Sequence, residues 1–81
     1  MKTEINDAYC RRQRSKARLF SFKMAVEHRA KALGNVSLGN DQEFFEMQTS
    51  LLNAVEDLTT EFEEHRNLSE LILMLKEEDA A

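Results

Sequence analysis

The stretch "GNVSLGND", Gly34 to Asp41, holds both glycines of the chain. There is no proline anywhere in the 81 residues. A sequence so poor in breakers reads as long helices with one reversal, and this stretch is the only place to put it. Gly34 suits the residue just past a helix end, because glycine enters the left-handed region at little cost. Asn40 with Glu43 three residues later is a capping-box-like pair that opens the next helix. The spacing predicts helix 1 over about 4–33, a turn over 34–40 and helix 2 over about 41–77. A connection of this length is ordinary between antiparallel helices.

The flanks support that reading. Ala, Leu, Glu, Lys, Gln, Arg and Met dominate, all good helix formers. Runs of β-branched residues, which would mark strands, are absent. In the first half, Ile5, Ala8, Leu19, Phe22, Val26, Ala30 and Leu33 suit one helical stripe, interrupted at Arg12 and Ser15. In the second half, Phe44, Gln48, Leu51, Val55, Leu58, Phe62 and His65 alternate steps of four and three, a 3.5-residue repeat. Past His65 the stripe drifts to Leu68, Leu71, Ile72 and Leu75. Asn67 with Glu70 forms a second cap-like pair, so a break near 65–67 before a short third helix competes with one continuous helix. Continuity is the preferred reading, because no Gly or Pro stops the chain there. "KEEDAA" is expected to fray. The fold class is thus all-α: an antiparallel helical hairpin, one small domain over 1–81.

Folding the chain about Ser37 makes residues face each other when their numbers add to about 74. Ala30 then meets Phe44, Phe22 meets Leu51 and Leu52, and Leu19 meets Val55. Beyond that the seam fails: Ser15 falls near Leu58, Arg12 near Phe62, and Ala8 near His65 and Arg66. Leu58, Phe62, Leu68, Leu71, Ile72 and Leu75 are left without cover. Burying one such side chain contributes about 1.5–3 kcal/mol. A partner or dimer interface is therefore expected at these six residues, with a homodimeric four-helix bundle as the natural geometry.

Charge is split along the chain. Residues 1–33 hold nine Lys/Arg against three Asp/Glu, a balance of +6, and residues 34–81 hold two against twelve, a balance of −10; together they give the net −4. The basic half centres on "CRRQRSKAR", Cys10 to Arg18. In the 74 register, Arg11, Arg14 and Arg18 approach Glu56, Glu61, Glu63 and Glu64, so the stretch reads first as the basic flank of a self-neutralising hairpin. The competing reading is a phosphate-contacting helix using Arg11, Arg12, Arg14, Lys16 and Arg18 on RNA or DNA. The acidic second half opposes it.

Little chemistry is present. His28 and His65 belong to no HExxH or CxxC arrangement, and Glu61 and His65, four apart, make at most half a metal site. Ser15, Ser21 and Ser50 have no base with triad spacing. Glu63 and Glu64 are neighbours that point apart on a helix. Met24, Met47 and Met74 read as adaptable packing. No catalytic, cofactor or metal residue is expected, and the chain reads as non-enzymatic. Cys10 alone allows no intrachain disulfide, which fits a reducing compartment. Met1 to Tyr9 lacks the apolar run of a signal peptide, and no run approaches the roughly 18 residues that span a bilayer. A cytoplasmic protein is expected. Its partners would be a second copy and a larger protein bound through a helix face, with nucleic acid as the second choice and no membrane.

Overall fold

The computed structural model describes residues 2–80 and is all-helical, with no strand among them. Helix α1 spans Lys2–Gly34 and helix α2 spans Asp41–Ala80. The two lie antiparallel in a rod of 63 × 14 × 12 Å. Forty residues at about 1.5 Å each span about 60 Å, so α2 by itself sets the rod's length.

The reversal is built differently from the sequence expectation. Gly34 stays inside α1 as its last residue, and the positive φ falls at Gly39, at 114°. Asn35 and Val36 donate backbone N–H groups to the Ala32 and Leu33 carbonyls, each at 3.2 Å, so the end of α1 tightens and runs on. Asn40 N–H then donates to the Ser37 carbonyl at 3.2 Å, closing a four-residue turn whose third residue is Gly39. That is the position where a type II turn requires glycine.

Asn40 caps α2 as expected. Its carbonyl accepts the first helical bond, from Phe44 N–H at 3.0 Å, and its side-chain oxygen accepts from Glu43 N–H at 3.3 Å. The return bond differs from a standard capping box. The Glu43 carboxylate accepts from the Asn40 side-chain amide at 2.8 Å, because the Asn40 backbone N–H is already used in the turn.

Moving the pivot from Ser37 toward Gly39–Asn40 changes the register. The cross-helix side-chain bonds pair Arg18 with Glu61 and Arg29 with Ser50, residues whose numbers add to 79 and not 74. The buried and half-buried side chains follow this register. On α1 the seam series is Ile5, Ala8, Arg12, Ser15, Leu19, Phe22, Val26, Arg29 and Leu33, continuing to Val36 in the turn, with Tyr9, Ala25 and Ala32 half-buried at its flanks. On α2 it is Met47, Leu51, Ala54, Leu58, Glu61, His65, Leu68, Ile72 and Leu75, with Ser50 and Ser69 half-buried beside it. Both series alternate steps of three and four without a fault, the repeat of a two-stranded left-handed coiled coil.

Two sequence expectations are corrected by that seam. Ala54 and Glu61 occupy inward positions that Val55 and Phe62 were expected to fill. Once they do, Leu68, Ile72 and Leu75 continue the same repeat and no drift occurs past His65. Helix α2 accordingly runs unbroken through 65–67, and no third helix forms among the described residues. It also extends to Ala80, beyond the expected end. The second correction concerns cover. Leu68 is 4% exposed and Ile72 1% exposed within a single hairpin. Ala8, on the expected stripe, and Ser15, expected to interrupt it, both sit fully buried on α1.

Ile72→Ala should destabilise the hairpin by about 2–5 kcal/mol. Leu73→Ala, one residue on and mostly exposed, should stay within about 0.5 kcal/mol of the parent. Urea unfolding followed by circular dichroism checks both.

Candidate functional site

The seam leaves one side of the rod unfinished. On α1, the residues beside it on that side are Tyr9, Lys16, Lys23 and Ala30, one per heptad. Three of the four carry a charge or a hydroxyl, so α1 offers little apolar cover there. On α2 the matching positions are richer. Leu52, Val55, Thr59 and Phe62 fall on one face by three- and four-residue steps, and all four are exposed. Between the helices this makes an open groove. Leu19 and Leu58 lie in it as half-buried seam residues, with Phe20 and Phe62 beside them. Lys16 and Lys23 line it on the α1 side, and Thr59, Glu63 and Arg66 on the α2 side. Phe20 is 67% exposed and Phe62 59%, and both line the same groove.

The opposite side is closed by polar contacts. The Arg18 guanidinium hydrogen-bonds and ion-pairs with Glu61, and also reaches Glu64 at 4.0 Å. Glu61 itself is buried, so Arg18 is what makes a carboxylate tolerable in the seam. Arg29 Nη1 donates to the Ser50 carbonyl at 3.0 Å. On the groove side, near the open end of the hairpin, the Tyr9 ring takes Arg12 of its own helix at 5.2 Å and Lys76 of α2 at 5.4 Å, and the second of these cation–π contacts bridges the helices.

These contacts divide the five cations of "CRRQRSKAR". Arg18 is spent on Glu61 and Glu64, and Arg12 is half-buried against Tyr9. Arg11 lines a crevice with Leu71 and Leu75, beside Glu4 and Asp7. Lys16 faces the Phe20–Phe62 groove, and Arg14 is exposed. Neither Arg11 nor Arg14 forms an ion pair among the described residues. The charge complementarity expected between the halves is therefore carried by Arg18 alone within this stretch. Glu56 and Glu63, assigned partners in the 74 register, are exposed and form no ion pair among the described residues, and Glu63 stands at the α2 edge of the groove.

Of the six residues expected at an interface, Leu68 and Ile72 belong to the hairpin's own core. Leu58 and Leu75 are half-buried, Leu71 is marginally exposed, and Phe62 stands open. Sequence reasoning missed Phe20, Leu52, Lys16 and Lys23 as members of one groove. The spacing of Phe20 from Lys16 and Lys23 carried that signal, but only the correct register shows which side of the seam they occupy.

The chemical inventory is sparse. Among the described residues no group of three His, Cys, Asp or Glu side chains gathers to hold a metal ion. His28 and Cys10 are exposed. Two buried polar atoms, Ser15 Oγ and His65 Nδ1, have no hydrogen-bond partner among the described residues. No helix among the described residues is long and apolar enough to cross a membrane. No family model, no curated protein and no solved structure matches the chain.

Arg18→Gln should cost about 1.5–3 kcal/mol, because it strips the charged partner from a buried carboxylate. The double change Arg18→Met with Glu61→Met should recover the parent stability or exceed it. Ser15→Ala should raise the melting temperature, since it removes an unpaired buried hydroxyl and adds helix propensity, together about 1 kcal/mol. Thermal melts of the four proteins check these expectations.

Proposed function

We propose that this chain is a small non-enzymatic interaction module that binds a larger protein through one helix face, in the manner of an adaptor, chaperone-like subunit or inhibitor. The observation that carries the reading is the Phe20–Phe62 groove, where two large aromatic side chains, each more than half exposed, line one cleft between the helices. A second observation points the same way. The accessible surface is 6352 Å², about 1,300 Å² more than the roughly 5,000 Å² of a compact monomer of this size. That excess is of the order that one side of a stable interface removes from solvent. The lone exposed Cys10 and the absence of any disulfide pair agree with a cytoplasmic setting.

Self-association into a homodimeric four-helix bundle is the second reading, favoured by the same excess surface. It ranks lower because a two-fold copy on the groove brings Lys16, Lys23 and Arg66 towards their own equivalents. Nucleic-acid binding through helix α1 ranks below both. Arg12 and Arg18 are engaged within the hairpin, and Glu56, Glu63, Glu70 and Glu77 form an acidic column at seven-residue spacing along α2.

A photo-crosslinking side chain at position 62, tested in the native host, should yield one discrete protein adduct that survives nuclease. The same group at position 56, on the outer side of α2, should yield none. An adduct of twice the chain's own mass would replace the reading with the homodimer, and a nuclease-sensitive adduct would replace it with nucleic-acid binding. Equal labelling from both positions would remove the groove as the functional site.

A further inference from the structure

We infer that the occupant of the Phe20–Phe62 groove is an amphipathic helix with acidic flanks, contributed by a partner protein, which lies along the hairpin and completes a three-helix bundle. This deepens the interaction reading above and rests on it.

The shape comes first. The groove runs between two antiparallel helices, with seam residues Leu19 and Leu58 beside Phe20 and Phe62. Exposed Leu52 and Val55 extend the apolar strip towards the turn on the α2 side. A straight apolar strip between parallel axes is the surface a third helix packs against, reading it through side chains at i, i+3, i+4 and i+7.

Charge then selects the occupant. The chain as a whole is acidic, at −4. The groove inverts that sign: Lys16, Lys23 and Arg66 line it, against Glu63 alone. All three cations are exposed, and the one ion pair among them is the loose contact of Lys23 with Glu27 at 3.9 Å. Their charge is therefore available to a ligand. A helix about 10–12 Å across, seated on the strip, brings its flanking side chains level with Lys16 and Lys23 on one edge and Arg66 on the other. Glu or Asp at those flanks pairs with them, and Lys or Arg is repelled. A second copy fits poorly, because its own groove presents the same cations. A nucleic-acid strand fits poorly too, since the aliphatic residues Leu19, Leu58, Leu52 and Val55 give phosphates nothing to contact, and Glu63 repels them.

The test uses the full chain and a display library of three-heptad helices. The library has a fixed apolar seam and randomised flanks. Selection should enrich Asp and Glu at the flanks, and the recovered peptides should bind more weakly as salt rises. The variant Lys16→Glu/Lys23→Glu/Arg66→Glu changes only exposed side chains. It should keep its helical melt, lose about tenfold or more in affinity for the acidic peptides and select basic flanks instead. The variant Phe20→Ser/Phe62→Ser should keep its fold and enrich nothing. Enrichment of basic or uncharged flanks by the parent, still abolished by Phe20→Ser/Phe62→Ser, would overturn the acidic occupant while leaving the groove as a binding face. Absence of enrichment, or enrichment indifferent to Phe20→Ser/Phe62→Ser, would overturn the groove reading itself. A parent that instead dimerises through the groove, or retains mixed RNA at low salt, would overturn the acidic helix in favour of that occupant.

Discussion

The turn at Gly39–Asn40 is the constraint on which the remainder of the molecule depends. A hairpin of two long helices has many nearly equivalent registers, because apolar residues recur every three or four positions along each. The 37–40 turn and the Asn40 cap together decide where the chain reverses. Every residue's partner follows from that choice. Each one-residue shift of the pivot moves the facing residue by two, so an error of two or three residues in the turn exchanges one helical face for another. Here it decides that Glu61 goes in and Phe62 stays out.

The seam so chosen is thin and unusually polar. Arg12, Ser15 and Arg29 stand on its α1 side, with Glu61 and His65 opposite. Each carries a cost that is only partly offset. Glu61 is matched by Arg18, Arg29 by a backbone carbonyl, and Arg12 by the Tyr9 ring. Ser15 and the Nδ1 nitrogen of His65 are matched by nothing among the described residues. A seam that contributes modestly to stability, beside an uncovered strip of Leu52, Val55, Phe62 and Phe20, describes a chain whose apolar surface is only partly used in folding. A local feature, the turn, therefore decides which apolar side chains stay uncovered some 30 Å away, about half of α2's length at 1.5 Å per residue.

The helices, the single connection and the Asn40–Glu43 cap were legible in the sequence because they rest on local rules. Lack of proline, two glycines close together and a cap pair need no tertiary information. The register was not legible, for a reason specific to these residues. Gly34 and Gly39 both lie in the turn, and the sequence gives no sign of which takes the positive φ. Hydrophobicity then misled the assignment of faces. Phe62 and Val55 look more like core than Glu61 and Ala54, and only the reach of Arg18 from the other helix reverses the order. The drift that suggested a third helix came from following the outer stripe up to His65 and the true seam after it. The groove combined both difficulties, since it exists only between faces that the register brings together.

The central claim is the register itself, and cysteine pairing tests it most directly. In a Cys10→Ser background, Val26→Cys with Ala54→Cys places two thiols at facing seam positions in the observed register. Val26→Cys with Gln48→Cys does the same for the alternative in which facing numbers add to 74. Mild oxidation of the folded protein should close the 26–54 pair rapidly within one chain and leave the 26–48 pair reduced, because a disulfide needs its Cα atoms within about 7 Å. Rapid closure of the 26–48 pair, with 26–54 left open, would contradict the seam, the burial of Glu61 and the groove built beside it.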